Sequence, residues 1–216
     1  AVLLYHVERM NEESANALLK VMEEPPEGCD FILAADDIDA VLPTIRSRSR
    51  LLRVGVPSKE DALAWLSAQK RLKGDPEVAL AMAGGAPLNA VKDITGLTLD
   101  AKASATLRDL LARGRSLTPD SIVRGYSASM GIPAVALHLS RWCYDLLRVK
   151  SGADPHFFIR EKDVLEKIAA DATMKNLLSL NAAVAEMRRS AEHPLAPRQV
   201  WEGVLLVYVR ALGGQV

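Results

Sequence analysis

Apolar positions along the first fifty-odd residues switch between two periods. Val2-Leu3-Leu4-Tyr5 is a short unbroken apolar run of the kind a buried strand presents. Asn11 then offers a helix N-cap, and Glu12 and Glu13 fall in the first turn, where the helix dipole favours anions. Ala15, Leu18, Leu19 and Met22 follow at helical offsets and make one apolar face. Pro25-Pro26 ends this helix, because the first proline restricts Glu24 and neither ring carries a backbone donor. A second buried strand is expected over Phe31-Ile32-Leu33-Ala34-Ala35, broken by Asp36-Asp37, and a third over Leu51 to Val54. Strand, helix, strand at this spacing predicts parallel pairing. So few parallel strands cannot cover both faces of a sheet, so this stretch is expected to be the back half of a domain in a truncated chain.

From Pro57 onward the apolar period is helical throughout. Ser58 with Asp61 resembles a capping box ahead of a face built from Ala62, Trp65, Leu66 and Gln69. Asp75-Pro76 supplies a cap and a first-turn proline, and Gly84-Gly85 a stop. A short helix opens at Pro87 and fades near Thr95. Past Gly96 longer helices are anchored by Leu107, Leu110 and Leu111, then by Ile122, Val123, Tyr126 and Met130. The last, roughly Pro197 to Leu212, is apolar on most sides, which predicts that it is buried or packed against another chain. The fold class read from this pattern is an α/β stub followed by an all-α region.

Composition narrows the chemistry. Twenty-seven basic residues balance 27 acidic ones among 216, which argues against a dedicated nucleic-acid coat. With 49% hydrophobic residues there is ample material for a core, and no run has the length of a bilayer span. Cys29 and Cys143 form no CxxC pair, and Cys143 reads as a buried, inert thiol. A reducing, cytoplasmic setting is expected. There is no GxxxxGK[ST] loop and no GxSxG elbow. His6, His138, His156 and His193 are scattered without metal-ligand spacing, so neither a metal nor a cofactor is expected within these residues. Asp36, Asp37 and Asp39 read as a solvated turn, and Trp65, Trp142 and Trp201 as core. One segment stands out: Thr44-Ile45-Arg46-Ser47-Arg48-Ser49-Arg50 places three arginines at alternating positions. It is either a charged, solvated element end or a presentation of one guanidinium to a phosphate, and charge alone does not choose among the three.

Asn16-Ala17-Leu18-Leu19-Lys20 and Glu23-Glu24-Pro25-Pro26 resemble the NALLK…EEPP signature of DNA polymerase clamp-loader subunits. Phe31-Ile32-Leu33-Ala34, Leu42-Pro43-Thr44-Ile45 and Ser47-Arg48-Ser49 continue it, in order, as that family's FILA, LPTI and SRC blocks. The resemblance implies a partial AAA+ core over residues 1–55, a three-helix lid over 56–95 and a helical collar for oligomerisation over 96–216. In ATP-hydrolysing members an Asp-Glu pair ends the strand before this helix; here those positions are Tyr5 and His6. The sensor position after the FILA strand is Ala35, and Gly85-Ala86-Pro87-Leu88 puts leucine where the lid arginine stands. These losses resemble the delta-prime family of bacterial DNA polymerase III clamp-loader subunits.

That family hydrolyses no ATP itself but lends its SRC arginine, here Arg48, to a neighbouring gamma/tau site in trans. The resemblance further implies a hetero-pentamer, with this subunit between delta and a gamma/tau copy, that loads a sliding clamp on primed DNA. Individual collar positions such as Val204, Leu205 and Tyr208 face either a partner or their own domain. Isolated, the neutral chain is expected to bind DNA weakly. The competing readings are a truncated gamma/tau ATPase and a helical interaction module without an ATPase role; a small replication-factor-C-like subunit fits less well, since those usually keep the carboxylate pair.

Overall fold

The computed structural model describes residues 1–72, 74–91, 99–190 and 196–214. The expected helix end near Thr95, the junction at Gly96, and His193 and Pro194 lie outside the described residues. Two compact units are present, Ala1–Gly55 and Val56–Val216.

In the first unit, β1 (Val2–Tyr5) pairs in parallel with β2 (Phe31–Ala34), in the register Val2↔Phe31 to Tyr5↔Ala34. Between them lies α1 (Glu12–Glu23), whose Asn11 side chain accepts from the Ser14 N–H and whose last residue precedes Glu24 and the two prolines. The short α2 (Pro43–Ser47) opens on a proline. Val7, Ala15, Val41 and Ile45 form a small core, with Leu4 and Leu33 of the sheet partly buried against it. The opposite sheet face is open: Leu3 is 47% exposed, Ile32 54% and Tyr5 69%. The sequence predicted buried strands, but no residue of either strand is buried, and only one face, through Leu4 and Leu33, is partly covered. A parallel pair needs a layer on each side, and the described residues supply one. Leu51 to Val54, expected as a third strand, forms no ladder, and Leu52 and Val54 are among the most exposed apolar residues. Apolar content made that segment look like a strand, but among the described residues no edge pairs with it.

The second unit is entirely helical among its described residues. Helices α3 (Lys59–Ser67), α4 (Pro76–Met82) and α5 (Pro87–Val91) close on Ala62, Leu66 and Leu80. The Ser58 hydroxyl oxygen accepts from the Asp61 N–H as a cap, and donates to the Asp61 carboxylate. The reciprocal half of a capping box is therefore replaced by a side-chain bond. Gly84 and Gly85 end α4 with φ of 66° and 85°, a left-handed pair that side chains with a Cβ rarely adopt. Trp65, expected in the core, is 39% exposed and lines a shallow cleft with Pro57, Pro87 and Leu88. Leu66 takes the inward position on α3 instead.

Six further helices surround the main core: α6 (Ala101–Leu111), α7 (Pro119–Gly125), α8 (Ile132–Lys150), α9 (Lys162–Asp171), α10 (Met174–Ser190) and α11 (Pro197–Ala211). The alternative left open for α11 resolves in favour of self-burial: Trp201, Leu205, Tyr208 and Val209 are fully buried in this unit's own core. Their polar tips are satisfied there. Trp201 Nε1 donates to the Ile122 carbonyl at 2.9 Å, and Trp142 Nε1 donates to the Tyr208 hydroxyl, which donates to the Leu111 carbonyl at 2.7 Å. Of the expected α7 anchors, Ile122 is buried while Val123 is 42% exposed. Burial raises the Tyr208 phenol and pushes the Cys143 thiol up to about 12, so that thiol is inert at neutral pH.

His138 sits edge-on to Phe158 with its Nε2 unpartnered. Burial lowers its pKa to about 4, with the charges of Arg141 and Arg108 adding. Since the folded value is depressed, the unfolded chain binds the extra proton between pH 6.5 and 4, and stability falls as pH falls through that window. Stability is expected to be lower by about 2 kcal/mol at pH 5 than at pH 7.5 from this group alone. Urea titrations should show this difference vanish in His138→Leu; an unchanged pH slope in the variant would refute the assignment.

Candidate functional site

The positions where the hydrolytic carboxylates and sensor would stand meet at the carboxyl ends of the two strands. Tyr5 is the last residue of β1, paired with Ala34, and His6 and Ala35 follow on each side. His6 has φ 56° and ψ 44°, a left-handed conformation that costs a residue with a Cβ, and it opens a 3₁₀ turn, Val7–Arg9. Its Nδ1 lies 3.3 Å from Glu8 Oε1 and 3.6 Å from Asp36 Oδ2. The Glu8 carboxyl is held below the usual carboxylate range, first by its own backbone N–H and then by the His6 ring, against the opposing effect of burial. Sequence reasoning missed this trio because its members straddle two strand ends, thirty residues apart. His6, Glu8 and Asp36 could each offer one ligand atom to a cation, but two of the three residues are exposed. Ala35 carries no donor or acceptor in its side chain, and Tyr5 and His6 carry no carboxylate, so these positions lack the groups that hold magnesium and orient a water. Leu88, in the other unit, is 60% exposed on α5.

The three arginines part company in the structure. Pro43 sets the start of α2, and its five residues place Arg46 within the helix, Arg48 at its C-cap and Arg50 in the segment beyond. The Asp36–Asp39 stretch is the solvated turn expected, with the Asp39 N–H donating to Asp37 Oδ1 at 2.9 Å. Arg46 spends its terminal Nη1 on that turn, donating to Asp39 Oδ1 at 3.2 Å and to the Ile38 carbonyl at 3.5 Å. Arg50 makes no hydrogen bond or ion pair among the described residues. Arg48 is held sideways. Its Nε donates to Glu23 Oε1 at 2.8 Å, its Nη2 lies 2.7 Å from the same oxygen, and its Nη1 donates to the Thr44 carbonyl at 3.3 Å. The Arg48 side chain remains 43% exposed. Ser49, which stands where the family's motif has cysteine, turns its hydroxyl back onto the Ile45 carbonyl at 2.8 Å. Neither bond to Arg48 was foreseen: Glu23 lies 25 residues upstream, and no local spacing links a helix's last residue to a later C-cap.

No described helix is long and apolar enough to cross a membrane. A sequence profile of the family described as DNA polymerase III, delta subunit, matches residues 1–57. The chain is 38% identical over 94 residues to a DNA polymerase III subunit delta' of Haemophilus influenzae, and 38% over 79 residues to the one of Escherichia coli. The stretches cover 43% and 36% of this chain. A DNA polymerase III subunit gamma of Buchnera aphidicola is 41% identical over 64 residues, 30% of the chain. The chain spans 29%, 24% and 18% of the lengths of these three relatives. Residues 1–57, which carry Arg48 as well as Tyr5, His6 and Ala35, are the part of the chain that is similar to the DNA polymerase III, delta subunit, family.

Proposed function

We propose that the chain acts in DNA replication as a clamp-loader subunit of the delta-prime kind, hydrolysing no ATP itself and lending Arg48 to the ATP site of a neighbouring gamma/tau subunit. The observation that carries the reading is a pairing of loss and retention in one family-matching segment. Tyr5, His6 and Ala35 lack the side chains a hydrolytic site uses, while Arg48 keeps its guanidinium on a half-exposed side chain. As the γ-phosphoryl group transfers, negative charge spreads over its oxygens, and a permanent cation from across an interface stabilises that charge more than the ground state. On this reading residues 1–55 are part of a AAA+ core, 56–95 the lid, and 96–216 the collar that joins a hetero-pentamer with gamma/tau and delta in the cytoplasm. Clamp and primed DNA are engaged by the assembly rather than by this neutral chain alone.

The self-burial of α11 limits how that collar is used. Val204, Leu205 and Tyr208 are committed to their own core, so partner contacts fall to other surfaces.

The complete subunit, purified alone, is expected to show no ATP turnover above background, and to co-migrate with gamma/tau and delta in gel filtration. Measurable turnover would favour the gamma/tau-type ATPase, and failure to co-migrate would favour a free helical interaction module. The absent carboxylates at Tyr5 and His6 speak against the first of these. Either result would overturn the proposal.

A further inference from the structure

We infer that Glu23, with the Thr44 carbonyl, is a positioning residue that presets Arg48 for a phosphate; this rests on the reading of Arg48 as a trans-acting arginine. A guanidinium carries five N–H donors in a planar fork. Glu23 takes the one from Nε and stands 2.7 Å from Nη2 as an ion pair, and the Thr44 carbonyl takes one from Nη1. Nη1 therefore keeps one donor and Nη2 at least one, so both terminal nitrogens, which form the end-on edge of the fork, still have a donor to offer. That edge is the parallel pair that matches two oxygens of a phosphoryl group.

The neighbouring arginines provide an internal contrast. Arg46 makes both of its bonds through Nη1, the end of the fork, to Asp39 and to the Ile38 carbonyl. Arg50 is unrestrained among the described residues, and would lose side-chain freedom on meeting a ligand. Arg48 is restrained from the side of its fork, through Nε, which Arg46 is not. Its partners come from two helices: Glu23 is the last residue of α1, and Thr44 lies in the first turn of α2. The end of α1 is enforced by Pro25-Pro26, so the EEPP block places a carboxylate at the point where the C-cap of α2 can use it.

Energetically the ion pair itself is minor. Both partners are near half exposed, and such surface pairs contribute little to stability. Its effect is on orientation: a guanidinium aligned before the reaction needs no reorganisation as charge develops. That predicts an effect on turnover without a matching effect on stability, which a merely structural helix-to-helix tie would not produce.

The test uses the clamp loader reconstituted with the complete subunit, comparing wild type, Glu23→Ala, Glu23→Gln, Arg48→Ala and the Glu23→Ala/Arg48→Ala double variant. Readouts are kcat and KM for primed-DNA-stimulated ATP hydrolysis, assembly by gel filtration, and the subunit's Tm. Glu23→Ala is expected to lower kcat at least threefold with KM, Tm and assembly unchanged. Glu23→Gln, which keeps an acceptor oxygen, should recover part of that loss, and the double variant should be no slower than Arg48→Ala. A fall under threefold, or a rise, in Glu23→Ala while Arg48→Ala is impaired would overturn the positioning role and leave the reading of Arg48 standing. A further loss in the double variant, or a lowered Tm, would make Glu23 structural. An unimpaired Arg48→Ala would remove the reading itself.

Discussion

Asp145→Ala is expected to lower stability by about 4 kcal/mol, a large effect for a single substitution. Asp145 lies on α8 with no exposed surface, among apolar side chains. Its carboxylate accepts three backbone N–H bonds from the loop that follows: His156 at 2.8 Å on Oδ1, and Phe157 at 2.9 Å and Phe158 at 2.7 Å on Oδ2. A carboxylate with three strong donors is a satisfied buried charge, and each donor is a backbone group that would otherwise be orphaned. The bonds also seat Phe158, whose ring packs edge-on against Trp142 at 4.8 Å and His138 at 5.1 Å. Alanine leaves all three N–H groups without acceptors and loosens an aromatic contact at the centre of the core. Asparagine, with one acceptor oxygen in place of two, should show roughly half the loss. Urea denaturation of wild type, Asp145→Ala and Asp145→Asn measures this directly. A loss below 1 kcal/mol for alanine would mean that the loop finds other acceptors.

Legibility from sequence followed the range of the interactions. The caps at Asn11, Ser58 and Asp75, the stop at Pro25-Pro26 and the left-handed Gly84-Gly85 were all readable, because each is decided within a few residues by backbone sterics and a nearby side-chain acceptor. The period of apolar positions located α3 to α7 and α11 individually, and gave only a general helical character to the stretch that holds α8, α9 and α10. Periodicity does not say which apolar residue on a face turns inward when the face is wide. Trp65 and Val123 were therefore read as core although Leu66 and Ile122 take that place. Leu51 to Val54 failed for a different reason: a strand is defined by its neighbour, and no run of residues announces whether a neighbour has an open edge.

The candidate site was half legible. The motif blocks singled out Arg48 from its two neighbours by position, and the structure adds a physical distinction between them in how each guanidinium is bonded. Glu23 as its partner was beyond reach, since the contact spans 25 residues and depends on the ends of two helices meeting. Asp145 was equally hidden. An aspartate in a helix usually signals a solvated face, and its partners here are loop N–H groups, which leave no trace in side-chain pattern.

The second large effect concerns catalysis in the assembly. Removing an arginine that stabilises transferring phosphoryl oxygens across an interface costs about 10³ to 10⁵ in turnover in the best-studied GTPases. Arg48 shares the features such a role needs: a permanent charge, a half-exposed side chain, and an orientation held by Glu23 and Thr44. The loss should fall on kcat, because the interaction strengthens only as charge develops. The deciding measurement is the primed-DNA-stimulated ATPase of the reconstituted clamp loader with wild-type complete subunit and with Arg48→Ala, each shown intact by gel filtration. The account predicts at least a tenfold fall in turnover with assembly unchanged. Turnover within twofold of wild type in an intact complex would contradict it, and would leave the subunit as a scaffold in the ring.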